Sequence, residues 1–214
     1  MNQPSLFDNE PDTPTRQTFV LGDSEIQYVS NAFTAREADR LFQKLLDDIP
    51  WQAATLNIGG QKRALPRLQC WMAHKGRSYS YSGLSLTPHP WNPNVLEVKA
   101  RLEQLCEHPF NSVLLNYYRD GSDSVSWHAD DETELGPNPI VASVSLGAER
   151  MLEFKPKFNL TTPKRQIVLG NGSILIMSKN IQNNWLHQLP KSSGYSDPRI
   201  SLTFRHHLSG EVQQ

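Results

Sequence analysis

Cysteine is scarce in this chain. Its 214 residues include two, Cys70 and Cys106, too few for a disulfide framework, so a reducing cytosol is the default compartment. No apolar run approaches the roughly 20 residues that cross a bilayer as a helix, and no membrane association is expected. The N-terminus lacks the basic start and apolar stretch of a signal peptide. No internal repeat is visible. Acidic residues are missing from Ile49 to Leu96, where Lys62, Arg63, Arg67, Lys75 and Arg77 stand among Trp51, Trp71, Tyr79, Tyr81 and Trp91. Cations neutralise phosphates and aromatic rings stack on bases, so this stretch is compatible with nucleic-acid binding. It is equally compatible with a solvated basic edge whose aromatics face a core.

What is present is ordinary for a soluble globular domain: 37% hydrophobic and 20% charged residues around a net charge of −1. The length suffices for one domain with a substantial core. Residues 1–24 are polar and proline-rich and read as a flexible tail; 25–208 read as one domain, with 25–111 preceding an all-β half at 112–208, and 209–214 as a second tail. "TARE" at 34–37 is a capping box, and Ala38, Leu41, Phe42, Leu45 and Ile49 form an apolar stripe that Pro50 ends. A second helix is expected from about Asn94, with Val95, Val98, Leu102 and Leu105 inward. From residue 112 the texture is of short β runs: "SVLLNYY", "IVASVSL", "MLEFK", "QIVLG", "SILIM", "NWLHQL" and "RISLTFR". Short strands between turn residues predict a barrel or sandwich.

The segment "SWHADDETELG" (126–136) places Asp130, Asp131 and Glu132 directly behind His128. Clustered carboxylates repel one another unless a cation answers them. On a strand, His128 and Asp130 share a face and are able to hold one metal. His187, in "NWLHQLP", offers a third donor. Two histidines and a carboxylate suit non-haem iron with open coordination positions, and they also suit a zinc hydrolase. Equally, His187 could be a packed histidine beside Trp185. "RISLTFR" bears on the choice. As a strand it turns Ile200, Leu202 and Phe204 one way and Arg199, Ser201, Thr203 and Arg205 the other. Two guanidiniums on a buried face are costly unless they meet anions. Their Cα atoms would be about 20 Å apart, near enough for the tips to converge on a short dicarboxylate. Asn116 and Tyr118 share a face of "VLLNYYR" and form a second wall. Iron with open sites beside a dicarboxylate clamp is what a 2-oxoglutarate-dependent oxygenase requires.

The motifs "LPR", "YSYSGLSLTPHPW", "NYYRDGSDSVSWHADDE", "SVSLGAER", "GSILIMSKNIQNNWLHQLPK" and "RISLTFR" run in order through residues 50–208. In this the sequence resembles the AlkB family of iron- and 2-oxoglutarate-dependent nucleic-acid dealkylases. The resemblance implies a double-stranded β-helix (jelly roll), mainly β with N-terminal helices, carrying a nucleotide-recognition lid. It implies Fe(II) on His128, Asp130 and His187, with O2 as a further co-substrate. It implies a 2-oxoglutarate pocket of Asn116, Tyr118, Arg199, Thr203 and Arg205. Asp131, Glu132 and Arg67 are then substrate contacts, with Tyr79, Ser80 and Tyr81 lining the lid and also binding substrate. The implied reaction removes N-methyl groups from bases of the 1-methyladenine and 3-methylcytosine type in DNA and releases formaldehyde. Alternatives are an RNA or protein demethylase, or a nucleic-acid binder without catalysis. Duplex-repairing members of the family carry an aromatic wedge on the hairpin before "PR"; here it reads "NIGGQKRALPR", so single-stranded substrate is favoured. His206 and His207 are expected to face solvent.

In the tail, Gln3, Leu6 and Phe7 of "QPSLF" resemble the pentapeptide by which bacterial repair and replication proteins dock on the DNA sliding clamp. The whole implies a cytoplasmic, nucleoid-associated bacterial monomer.

Overall fold

A computed structural model describes residues 13–58, 60–73, 79–81, 84–86, 88–159, 161–194 and 196–208, with backbone alone at 56–58, 79–81 and 84–86. In chain order, a hairpin β1 (Thr15–Leu21) and β2 (Ser24–Ser30) leads to helix α1 (Ala35–Asp48). Strands β3 (Gln52–Ile58), β4 (Gln61–Ala73), β5 (Tyr79–Tyr81) and β6 (Leu84–Leu86) precede helix α2 (Pro93–Cys106). The β half contains β7 (Ser112–Tyr118), β8 (Val125–His128), β9 (Val141–Gly147), β10 (Arg150–Pro156), β11 (Arg165–Leu169) and β12 (Ser173–Ser178). The one-turn helix α3 (Ile181–Asn184), β13 (Trp185–Leu189) and β14 (Arg199–Arg205) complete it.

The major sheet has the order β1-β2-β12-β9-β14-β7-β4-β3, and the minor sheet the order β11-β10-β13-β8. Together they form a double-stranded β-helix. Side-chain alternation assigns a task to each face of the major sheet. Val113 and Leu115 of β7, Val144 and Leu146 of β9, Ile174 and Ile176 of β12, and Ile200, Leu202 and Phe204 of β14 pack with α1 and α2. The opposite face meets the minor sheet through Tyr118, Leu175 and Met177 against Leu152, Phe154, Ile167, Leu169 and Leu189. Each such fully buried aliphatic or aromatic side chain contributes about 1.5–3 kcal/mol.

Helix α1 forms as its sequence predicts. Thr34 Oγ1 accepts from Glu37 N, and the Glu37 carboxylate accepts from Thr34 N at 2.9 Å. Ala38, Leu41, Phe42 and Leu45 are buried. Helix α2 starts earlier than expected: Asn92 is the N-cap, its side chain accepting from Asn94 N, and Pro93 occupies the first turn where its missing N–H costs nothing. Arg101 ties the helices together, donating to both Glu37 oxygens.

Four expectations change. Residues 15–21, placed in the flexible tail, form β1, an edge strand paired from Thr15↔Ser30 to Leu21↔Ser24. It has almost no buried side chain, so it carries no alternation to read. The basic, aromatic stretch contains the long hairpin β3–β4, with Gly60 at φ +80° in its turn. The change lies in the strands, where only helices and a lid were expected; the tryptophans pack as the core-facing reading has it, with Trp71 buried and Trp51 5.4 Å from the Tyr117 ring. His207 does not face solvent. It is buried, set edge-on to Trp71, and its backbone exchanges hydrogen bonds with the Asn111 side chain. Finally, β8 ends at His128, so Asp130 lies in the loop beyond it. The tail residues Gln3, Leu6 and Phe7 and residues 209–214 lie outside the described residues.

Candidate active site

His128 ends β8 and His187 is central in β13, and the two are direct cross-strand partners. Their rings stand 4.2 Å apart. A bulge in β8 separates this pair from the next, Leu189↔Val125. The extra residue lets Val125 and His128 both line the cavity, which strict alternation forbids. Asp130 reaches the same point from the loop, its N–H held by Gln182 Oε1 at 2.9 Å. One donor atom from each of His128, Asp130 and His187 falls within 4.8 Å of the others, and among the described residues no other group of this kind occurs.

Electrostatics leave these atoms in the state a cation needs. His128 Nδ1 is 2.8 Å from the Ser126 carbonyl. A carbonyl only accepts, so Nδ1 carries the proton and Nε2 keeps its lone pair. Burial, and then the neighbouring His128, push His187 down to about 3, leaving it neutral. Burial alone would raise Asp130; the Arg205 guanidinium, by its charge and its hydrogen bond, leads the groups that outweigh it and hold the carboxyl at about 2. Oδ1 of Asp130 accepts from Arg205 Nη2 at 2.6 Å. Oδ2 is buried without a hydrogen bond and stands 3.9 Å from His187 Nε2. That separation is too long for a hydrogen bond but short enough for one ion to bridge. An orphaned, ionised oxygen facing two neutral imidazoles fits a divalent metal.

The cavity continues along β14, whose Arg199, Ser201, Thr203 and Arg205 line it with Asn116 and Tyr118 of β7. Arg199 is 3% exposed. Its Nη2 donates to Ser145 Oγ at 2.9 Å, and its guanidinium lies 5.3 Å from the Tyr118 ring centroid. Burial pushes it down to about 10, so it remains a cation at neutral pH. Nε has no hydrogen-bond partner, and no described carboxylate lies within salt-bridge distance. A buried guanidinium left this way needs an anion.

The 2OG-Fe(II) oxygenase superfamily profile matches residues 25–205. The bovine "Alpha-ketoglutarate-dependent dioxygenase alkB homolog 3" is 40% identical over 178 residues, covering 79% of this chain and 62% of the bovine protein. The mouse "DNA oxidative demethylase ALKBH2" is 36% identical over 182 residues, covering 81% of this chain and 76% of its own. The chain belongs to the AlkB family. It spans a little under two thirds of the length of the alkB homolog 3 relatives it matches. The solved structure of OsALKBH1 superposes with a TM-score of 0.60 at 17% identity, over 89% of this chain and 100% of that one, which supports the shared fold.

Other residues expected at an AlkB-type site are distributed unevenly. Arg67 lines the cavity but is buried, donating from Nε to Asn116 Oδ1 and from Nη1 to the Ser124 carbonyl. Asp131 lies at the exposed rim, paired with Lys157 Nζ at 2.7 Å. Once the chain leaves β8, alternation no longer fixes its direction. Glu132 is half-buried and starts a 3-10 turn, its carbonyl accepting from Leu135 N. Tyr79, Ser80 and Tyr81 form β5, paired with β6, and their side chains lie outside the described ones.

Three contributors lie inside quoted motifs without a role assigned to them, Ser145 and Arg150 in "SVSLGAER" and Gln182 in "GSILIMSKNIQNNWLHQLPK". Ser145 holds Arg199, Gln182 holds the Asp130 backbone, and Arg150 donates to the carbonyls of Asp120, Asp123 and Pro190 beside Tyr118. Only Arg150, a buried-strand arginine in "SLGAER", was open to the reasoning applied to Arg199.

Proposed function

We propose that this protein is an Fe(II)- and 2-oxoglutarate-dependent dioxygenase that removes N-methyl groups from bases of the 1-methyladenine and 3-methylcytosine type, in DNA and on single strands. The carrying observation is the coexistence in one cavity of the His128, Asp130 and His187 donors with the uncompensated Arg199 cation. A zinc hydrolase has no use for that buried cation.

In this reading His128 Nε2, Asp130 Oδ2 and His187 hold the metal. Bound Fe(II), with O2, supplies the oxidation: one oxygen atom hydroxylates the methyl carbon, while the other converts 2-oxoglutarate to succinate and carbon dioxide. The cationic hydroxymethyl product then loses formaldehyde and a proton, which returns the unmodified base. The chain's own residues bind and orient. Arg199, set by Ser145, receives the far carboxylate of 2-oxoglutarate, and Asn116, Tyr118 and Thr203 wall its pocket. Arg205 fixes Asp130 and adds positive charge near the keto-acid end. The apolar residues Leu114, Val125, Leu152 and Leu189 line the same cavity and limit water. Asp131 at the rim suits a base carrying formal positive charge, in exchange with Lys157, and the β5–β6 hairpin acts as the lid.

Mass spectrometry of a mixed set of alkylated DNA and RNA oligonucleotides and a methylated peptide, incubated with Fe(II) and 2-oxoglutarate, tests the assignment. Loss of methyl from DNA bases is the expected result. Turnover of RNA or peptide alone would move the substrate class, and no turnover with no succinate release would leave a binder.

The tail adds a partner. Leu6 and Phe7 are its only adjacent large apolar pair before residue 19, suited to anchor a peptide in the groove of a bacterial sliding clamp. Such tethering would hold a cytoplasmic, monomeric enzyme at replicating DNA, where single strands are exposed. A peptide of residues 1–14 should bind the clamp in fluorescence anisotropy, and Leu6→Ala, Phe7→Ala should abolish binding. Matching curves would discard the idea.

A further inference from the structure

Between the β1–β2 turn, the segment after β10 and the start of β13 runs an open groove of about 440 Å³. It shares no lining residue with the metal cavity. Leu21, Pro156 and Trp185 are buried in its floor. Val20 and Phe158 stand at its rim, 69% and 80% exposed, the two most exposed large apolar side chains among the described residues. Apolar groups left in water around a concave surface forgo the gain of burial, which an occupant would restore.

Charge describes that occupant further. Arg165 lines the groove, and Lys164 stands with Phe19 and Leu21 in the adjoining hollow. No described carboxylate lies within salt-bridge distance of either cation. Asp23, the acid among the described lining residues, is already held by the amides of Asn180 and Asn184. The groove therefore suits a large apolar pair with negative charge beside it. The chain contains such a segment. Leu6 and Phe7 are followed by Asp8, Glu10 and Asp12, and residues 1–15 hold no lysine or arginine.

The segment also has the length. β1 leads from Thr15 to Val20 and Leu21 at the groove, and its outer edge has no strand partner among the described residues. A reversal at Pro11–Pro14, where both prolines favour turns, would send the preceding residues back beside β1. From Phe7 to Thr15 the extended chain spans up to about 28 Å, and β1 itself spans about 20 Å. The free edge offers backbone N–H and C=O groups to an added strand. A tethered segment needs little intrinsic affinity, because its effective concentration is high.

We propose that residues 3–12 fold back along the free edge of β1 and seat Leu6 and Phe7 in this groove, against Val20, Phe158 and Trp185, with their acids facing Lys164 and Arg165. The same two side chains are those suited to the sliding clamp, so docking in cis would hide them from that partner until the tail leaves the groove. The docking itself depends on neither the clamp nor the chemistry of the cavity.

The test is photocrosslinking of the full chain carrying Phe7→p-benzoylphenylalanine, with the linked peptides identified by mass spectrometry. Crosslinks should fall on residues 20–23 and 156–159. Their yield should be unchanged when the protein is diluted about tenfold, as contact within one chain requires. Phe158→Asp puts a charge at the apolar rim and should lower the yield at least about fivefold. The side chain is exposed, so its melting temperature should match the wild type. Arg165→Glu should lower the yield less and weaken its dependence on salt. Amide hydrogen exchange gives a second readout without the unnatural residue: Leu6→Ala with Phe7→Ala should speed exchange along β1. Crosslinks to other surfaces, no crosslinks, or a yield indifferent to Phe158→Asp would overturn the docking. So would unchanged exchange in the double variant. A yield that falls on dilution would seat the tail of a second copy in the groove and overturn docking in cis.

Discussion

Arg205 donates from Nη2 to Oδ1 of Asp130 at 2.6 Å, across 75 residues of sequence, and both side chains are buried. The contact turns the other carboxylate oxygen, Oδ2, towards His187 and His128. In the function proposed above, Arg205 would act on the metal through Asp130, as a positioning residue. Arg205→Gln should lower Fe(II) affinity about 10- to 100-fold, the usual cost of losing a partner that orients a ligand. The readout is the rise in Tm on anaerobic addition of Fe(II). Wild-type protein should show it, Arg205→Gln only at higher metal, and Asp130→Ala not at all. An undiminished rise in Asp130→Ala would remove that residue from the ligand set.

Arg199 calls for a different variant. A lysine there keeps the charge but loses the planar fork that matches a carboxylate. Arg199→Lys should raise the KM for 2-oxoglutarate at least tenfold and leave the KM for the oligonucleotide within about twofold. Ser145→Ala should shift the first value in the same direction by less, because it removes only the hydrogen bond that sets the guanidinium. Equal effects on both substrates would place Arg199 outside the co-substrate pocket.

The Glu37–Arg101 pair gives a stability test away from the site. The Arg101 hydrogen bond, then the Thr34 backbone, hold the Glu37 carboxyl at about 2 instead of its ordinary 4.5. A depressed folded-state value means stabilisation that is present above about pH 4.5 and lost as pH falls towards 2. Both side chains are about a third exposed, so solvent screening limits the effect to about 1 kcal/mol. Glu37→Gln should therefore lower Tm at pH 7, and the gap should narrow below about pH 4.5 and close as pH approaches 2. A constant gap would assign the effect to helix capping.

The β3–β4 hairpin bears on strand preference. Ile58 pairs with Gln61, and the two residues between them in the sequence are glycines, which offer no aromatic ring to fill the space of an extruded base. Initial rates on a methylated single strand should exceed those on the same lesion in a duplex. Faster repair of the duplex would mean that another element opens the helix.

Much of this architecture was legible because period and burial agree. In β14 the alternation of Arg199, Ser201, Thr203 and Arg205 with Ile200, Leu202 and Phe204 separates the cavity from the helix-facing core, as the sequence pattern predicts. The α1 cap was equally plain. The edge strand β1 was hidden because only Leu21 among its residues is buried, so backbone pairing forms it without an apolar pattern. The histidine–aspartate pair was found on a premise the fold does not meet. Asp130 shares the site with His128 because a loop held by Gln182 returns it, not because a strand alternates. His207 misled for the opposite reason: its burial depends on Asn111 and Trp71, distant in sequence and carrying no local pattern.

In the function proposed above, the cavity couples consumption of 2-oxoglutarate to removal of a methyl group from a base. The most direct measurement is the ratio of succinate formed, formaldehyde released and 3-methylcytosine lost in one reaction on a single-stranded DNA oligonucleotide with Fe(II). Equal amounts of all three are expected, with none in Asp130→Ala. Succinate without formaldehyde on any N-methylated base, or base repair that continues without 2-oxoglutarate, would contradict the coupling.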